Sequence, residues 1–377
     1  MRAKVLTDPS LAEHAGRFVW LSINTEEAKN AAFLEKYPVE GLPTFFIVDP
    51  AVEKPALKWL GSATAPQFVQ LFADGERAVR AGGAAAADAD GLLAEADRHF
   101  AGKEMKEAAE GYRAALKAAG SSWPQRARAL ESLAGALSAG EEWEACATLA
   151  REEAPGMPRG PSFANVAVIG LDCADQAPKD APWKVAAQKT LEPLVEEAVG
   201  LPDVLADDRS SIYGTLAGRA EDKGDEAGAK VWAGRWLTFL EEQAAAAPSP
   251  EARAAFDSHR VSAAMMLGTP ERALPAVQQS EKDLPGDYNP PARQALLYRE
   301  MKKYDEAIDA SRRALAKAYG PRKLRIYDVL ADVQTKKGDA AAAHATLEQA
   351  LQFADSLPES RRPKQMVEAM RKKLTAS

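Results

Sequence analysis

Apolar residues recur at helical spacing along most of this chain. From Asp88 onward Gly or Pro interrupts the pattern every few turns, so the sequence predicts many short helices and no strand. The last helix, Ser360 to Leu374, puts Met366, Val367, Met370 and Leu374 on one side. Arg361, Arg362, Lys364, Arg371, Lys372 and Lys373 take much of the rest. The first 80 residues read differently. Short aromatic and β-branched runs, Phe18–Ile23, Phe45–Val48 and Leu57–Gly61, predict strands. Ala28–Tyr37 and a segment capped by Thr64 predict helices, the second with Pro66 in its first turn and Phe68, Val69, Leu71 and Phe72 on one face. Thr7-Asp8-Pro9 predicts a cap and first-turn proline ahead of Ser10–Ala15. The expected architecture is an α+β piece over residues 1–80, a linker over 81–88, helical hairpins over 89–357 and a C-terminal capping helix over 358–377. Overall it is mostly α.

Gly41-Leu42-Pro43-Thr44 stands directly before the Phe45 strand, a place where an X-Pro bond adopts the cis form at a cost of only about 0.5–1 kcal/mol. Strand, helix, Gly-Leu-Pro-Thr turn, strand, a strand ending in Trp59-Leu60-Gly61, then a helix: in this order residues 1–75 resemble the second half of a thioredoxin fold. The resemblance implies that Gly41, Leu42, Pro43 and Thr44 contact an extended peptide. It also implies a redox Cys-x-x-Cys opposite the proline, and the sequence has none. The strand that would lie between Phe18–Ile23 and Phe45–Val48 is absent too. The expectation is therefore a partial, redox-inactive domain. The alternative is a thiol–disulfide oxidoreductase whose cysteines lie upstream of Met1; the protein is expected in the cytoplasm if Met1 is the true start and exported if an upstream signal exists.

In the helical part, Ala273 and Ala307 are 34 residues apart, the tetratricopeptide period. Ala295, Tyr298, Tyr304, Ala307, Ala314 and Leu315 up to Pro321, then Tyr327, Leu330, Ala331, Gly338, Ala343, Leu347 and Ala350, resemble two units of that family. Weaker units centre on Ala108, Cys146, Ala229 and Ala273. Pro155 to Gly200 reads as a degenerate hairpin. The resemblance implies a solenoid that binds a protein or peptide partner. The surface expected to face that partner carries Ala292, Leu296 and Arg299 on one inner helix and Arg325, Asp328, Asp332 and Lys336 on the next.

Composition narrows the chemistry. The net charge of −7 gives no reason to expect nucleic acid, and no apolar run is long enough to span a bilayer. No metal or cofactor is expected: the four histidines are scattered. Cys146 and Cys173 lie in no paired motif, so they read as separate buried thiols and no disulfide is expected. Carboxylate pairs such as Asp207-Asp208 and Glu152-Glu153 read as solvated faces.

Overall fold

The computed structural model describes residues 5–39, 41–80 and 88–376. Met1–Lys4, Glu40 and residues 81–87 of the expected linker lie outside the described residues. The chain forms two compact units, one of the residues up to Phe18 with Val39–Ile212, the other of Val19–Pro38 with Tyr213 onward. Among the described residues no helix is long and apolar enough to cross a membrane.

In the first unit Asp8 caps a 3-10 turn over Pro9–His14, accepting from the Ser10 amide. Strands β1 (Thr44–Asp49) and β2 (Lys54–Leu60) pair antiparallel, with Thr44 opposite Leu60 and Asp49 opposite Lys54. Helix α2 (Ala65–Arg80) opens on a capping box: Gln67 N–H donates to Thr64 Oγ1, and Thr64 N–H donates back to Gln67 Oε1 at 2.9 Å. Leu57 and Trp59 of β2 bury against Phe68, Leu71 and Phe72 of α2, and Phe45 and Ile47 of β1 pack on the same cluster. The elements expected around the Gly41 turn are present. The strand expected at Phe18–Ile23 is not. Phe18 makes an isolated bridge to Ala15, and Val19 to Asn24 belong to no ladder. Val19 and Leu21 are 89% and 72% exposed. A strand needs a neighbour for its N–H and C=O groups, and among the described residues β1 and β2 pair only with each other.

Six further helices of this unit pack in sequence: α3 (Ala89–Ala101), α4 (Met105–Ala118), α5 (Arg126–Ala139), α6 (Trp143–Glu153), α7 (Pro161–Gln176) and α8 (Lys184–Ala198). The region from Pro155 to Gly200 is thus an ordinary helical pair, α7 and α8. Cys146 and Cys173 are fully buried, as their packing positions suggest, but they are joined in a disulfide between α6 and α7 with Cα atoms 6.1 Å apart. The reading of two separate thiols is corrected: a cross-helix register decides the pairing, and periodicity along one helix does not report it. A buried ionic cluster joins α2 to these helices. Arg128 of α5 donates to Asp97 of α3 at 2.6 Å and lies 3.2 Å from Asp74 of α2. Gln125 donates to Asp74 at 2.8 Å, and Tyr112 of α4 donates to Asp97 at 2.8 Å.

Helix α9 (Ala206–Asp222) continues into the second unit, followed by α10 (Glu226–Ala245), the short α11 (Pro250–Ala254), α12 (Asp257–Leu267), α13 (Pro270–Asp283), α14 (Asn289–Glu300), α15 (Tyr304–Lys317), α16 (Lys323–Lys337), α17 (Ala340–Ser356) and α18 (Lys364–Ala376). Helix α1 (Ala31–Lys36) belongs here as well. Val367 and Met370 of α18 bury against Leu347, Ala350 and Ala354 of α17.

The repeat pattern is regular at two positions. Ala108, Cys146, Ala187, Ala229, Ala273, Ala307 and Ala343 are the fourth residues of α4, α6, α8, α10, α13, α15 and α17, and all are buried. Lys103, Glu141, Gly224, Gly268, Lys302 and Gly338 stand two residues before α4, α6, α10, α13, α15 and α17, and all have positive φ, 58° at Lys302 and 89° at Gly338. Gly338 takes this conformation without strain, whereas a Cβ there costs on the order of 1–2 kcal/mol. Gly338→Ala is expected to lose about 1 kcal/mol in urea unfolding, and Lys302→Gly to lose nothing or gain slightly. Equal losses at both sites would contradict this account of the turn.

Asp208, expected on a solvated face, is half-buried beside Ser62 of the β2–α2 loop. Burial pushes its pKa up from 3.8 to about 6, opposed by the Ser62 hydrogen bond and assisted by the charge of Asp207. Its folded pKa lies above its unfolded value, so the folded state binds the proton more tightly. Stability is therefore lost as pH rises from about 4 through about 6, and the penalty persists above. Asp208→Asn is expected to stabilise by about 1–3 kcal/mol at pH 7.5 and hardly at all near pH 4. A stabilisation independent of pH, measured by urea unfolding at both values, would refute the assignment.

Candidate functional site

Two surfaces were expected to meet a partner, and each lies within one unit. At the first, the Leu42–Pro43 bond is cis. Thr44 Oγ1 donates to Gly41 O at 2.6 Å, closing the turn, and Gly61 N–H donates to Pro43 O at 2.9 Å, fastening it to the end of β2. Leu42 is 61% exposed and Leu60 47%. The turn and the end of β2 therefore each present an exposed apolar side chain.

The second surface is formed by α14 and α16. Leu296 and Arg299 are half-buried on α14. On α16, Arg325, Asp328, Asp332 and Lys336 follow one face, at steps of three and four residues. The fold brings most of these groups together. Arg299 Nη1 lies 3.3 Å from Asp332 Oδ2, and Lys336 Nζ lies 3.1 Å from the same oxygen. Asp328 receives Lys373 of α18 at 2.6 Å. Arg325 is exposed. Thus α18 supplies a charge that the repeat pattern alone did not place here. The other basic residues of α18 meet acids nearby: Lys372 lies 3.2 Å from Glu368 and Arg371 3.8 Å from Asp355.

A polar cluster that sequence reading missed lies on the neighbouring helices. Arg313 of α15 donates to Glu281 of α13 at 3.0 Å and to Gln294 of α14 at 3.2 Å, and it pairs with Asp309. Gln294 donates to Glu281 at 2.8 Å. Burial pushes the Glu281 carboxyl up, but hydrogen bonds from Arg313 and Gln294 and the charges of Arg313 and Lys317 outweigh it and hold the pKa low. The cluster ties three consecutive helices together. Its signal in the sequence was an Arg and a Glu 32 residues apart, near the repeat period.

A cleft of about 410 Å³ is lined by Thr25, Ala31, Leu34, Glu35, Pro321 and Arg361. It lies between the segment around α1 and the loops that precede α16 and α18. Among the described residues no group of His, Cys, Asp and Glu is arranged to hold a metal ion.

A tetratricopeptide-repeat family model matches residues 291–356, which span α14 to α17. No curated protein sequence matches the chain. Among solved structures, a tetratricopeptide repeat protein from Parabacteroides merdae is 11% identical, with 75% of this chain and 98% of that one covered and a TM-score of 0.45. BtubC from P. vanneervenii is 18% identical, covering 57% and 91%, with a TM-score of 0.41. The TPR2AB domain of yeast Sti1, in a complex with pHSP90, is 15% identical, covering 76% and 98%, with a TM-score of 0.30. The family match marks residues 291–356 as tetratricopeptide repeats, and the same buried small residue recurs at the fourth position of helices outside them.

Proposed function

We propose that the chain is a protein-interaction scaffold that holds a protein or peptide partner on the face shared by α14 and α16. The observation that carries this reading is the Arg299–Asp332–Lys336 cluster, which spans both helices and leaves Arg325 exposed beside it. Counting Lys373, four cations stand against the two carboxylates Asp328 and Asp332. The face is locally basic on a chain of net charge −7, so it favours a partner that presents carboxylates. Photo-cross-linkers at Leu296, Arg325 and Lys336 are expected to trap one common protein that linkers at the exposed Asp305 and Glu348 do not. Arg299→Ala with Lys336→Ala is expected to weaken its capture about tenfold while changing stability by less than about 1 kcal/mol, since half-exposed ion pairs contribute little. Equal trapping at both sets of positions would sink the proposal.

A second reading concerns the N-terminal α/β piece as a partial thioredoxin-like domain. It is supported by the antiparallel β1–β2 pair with α2 packed on it and by the exposed Leu42 and Leu60 beside the Gly41–Thr44 turn. On this reading Gly41, Leu42, Pro43 and Thr44 contact an extended apolar peptide. Titration with a reduced, unfolded polypeptide is expected to shift the amide resonances of Gly41, Leu42, Thr44 and Gly61. Shifts spread evenly over the protein, or none, would remove this reading.

A further inference from the structure

Residues 24–26 form a tight turn. Glu26 N–H donates to Asn24 Oδ1 at 2.9 Å, and Asn30 Nδ2 donates to Asn24 O at 2.8 Å. The turn points one side chain amide, two backbone carbonyls and one carboxylate at groups from much later in the same unit. Arg361 Nη2 donates to Glu26 O at 2.6 Å and to Thr25 O at 3.2 Å. Arg322 Nε lies 3.1 Å from Glu26 Oε1, and Asn24 Nδ2 donates to Tyr319 Oη at 3.2 Å. Gly320, with φ of +65°, lies so close that a Cβ would stand 2.7 Å from Glu26 O. No bulkier residue fits there without moving the turn.

The receiving groups are themselves held. Tyr288 at the start of α14 packs edge-on against Tyr319, with ring centroids 5.8 Å apart. Arg362 donates to Leu357 O at 2.9 Å and to Asp355 O at 2.7 Å, fixing the turn that carries Arg361. In Val19–Pro38 Tyr37 alone is buried. Neither the 3-10 turn Ala28–Asn30 nor α1 contains a buried residue. The contacts are polar, and the Arg322 side chain is 52% exposed, so water competes for it. The cleft of about 410 Å³ lined by Thr25 and Arg361 lies beside them.

We propose that Tyr319, Gly320, Arg322 and Arg361 form a receptor for an acidic Asn-x-Glu turn, and that residues 24–26 occupy it as an exchangeable ligand from the same chain. The tripeptide tethers Val19–Pro38 to the last repeats. A protein partner presenting the same turn displaces it and releases the exposed Val19 and Leu21 with it.

Hydrogen exchange on the full chain tests the tether. In Arg322→Ala with Arg361→Ala, and separately in Glu26→Lys, amides 25–37 are expected to exchange about tenfold faster, with those of α14 and α15 unchanged. A labelled peptide of residues 18–38 is expected to bind the Glu26→Lys chain about tenfold more tightly than the wild type, whose site is filled. The same peptide carrying the Glu26→Lys change is expected not to bind. Unchanged protection in the double variant, or a peptide that does not distinguish the two chains, overturns the proposal. Neither readout involves the α14–α16 partner, so loss of that reading leaves this result standing.

Discussion

Close approach between consecutive helices is the constraint on which the rest of this structure depends. A helix pair packs at short distance only where a side chain at the contact is small. Seven helices meet that demand at their fourth residue, six with Ala and one with Cys. The entry angle is set two residues before six of these helices by a left-handed backbone position. Glycine occupies three of those positions and Lys or Glu the other three, so the turn conformation is imposed by packing and not by residue preference alone. Once both positions are fixed, the larger residues have a defined gap to fill, and each pair presents its first helix to its neighbour in the same way. The surface shared by α14 and α16 is a product of that regularity.

A second constraint joins the α/β piece to the first repeats. Arg128 is the shared partner of two buried carboxylates, Asp74 from α2 and Asp97 from α3. Burial raises the pKa of Asp97, and the charge and hydrogen bond of Arg128 oppose it. Charges taken out of water cost several kcal/mol each, on the order of magnitude typical of ions in proteins, unless such partners are in place. The cluster is therefore weak evidence for added stability but strong evidence for a fixed arrangement, since any shift of α2 against α5 would strand a carboxylate. In the first unit, the α/β piece and the repeats are thus one packed body on either side of residues 81–87.

What the sequence made legible follows from how local each feature is. The Ala273–Ala307 spacing, the buried position of Ala343, the Thr64 cap and the β1–β2 run around Gly41 depend on residues near one another, and all are found. Phe18–Ile23 has the composition of a strand, yet strand formation needs a neighbour that local composition cannot specify. Ala187 escaped notice because prolines on both sides of α7 obscured the repeat, although it occupies the same fourth position as the others. The Cys146–Cys173 bond depends on the register of two helices, and the Asn24–Glu26 turn depends on groups some 300 residues away. For the candidate surfaces, the sequence named Arg299, Asp332 and Lys336 from their helical faces. It did not name Lys373, whose role depends on where α18 comes to rest.

Charge links the two proposed recognition sites. The face of α14 and α16 gathers Arg299, Arg325, Lys336 and Lys373, while Arg322 and Arg361 stand beside the N-terminal ends of the same two helices, where Tyr288 meets Tyr319. The helix N-terminus adds its own partial positive charge, which favours a carboxylate in the first turn's vicinity. On a chain with more acids than bases overall, cations concentrated at one end of the repeats attract the protein's own acidic segments first. Glu26, placed on a segment with few buried residues of its own, answers that attraction. On the proposed reading, a partner that presents the same Asn-x-Glu turn competes with a ligand already supplied by the chain at Arg322 and Arg361, whereas a partner held by Arg299, Asp332 and Lys336 meets no such competition.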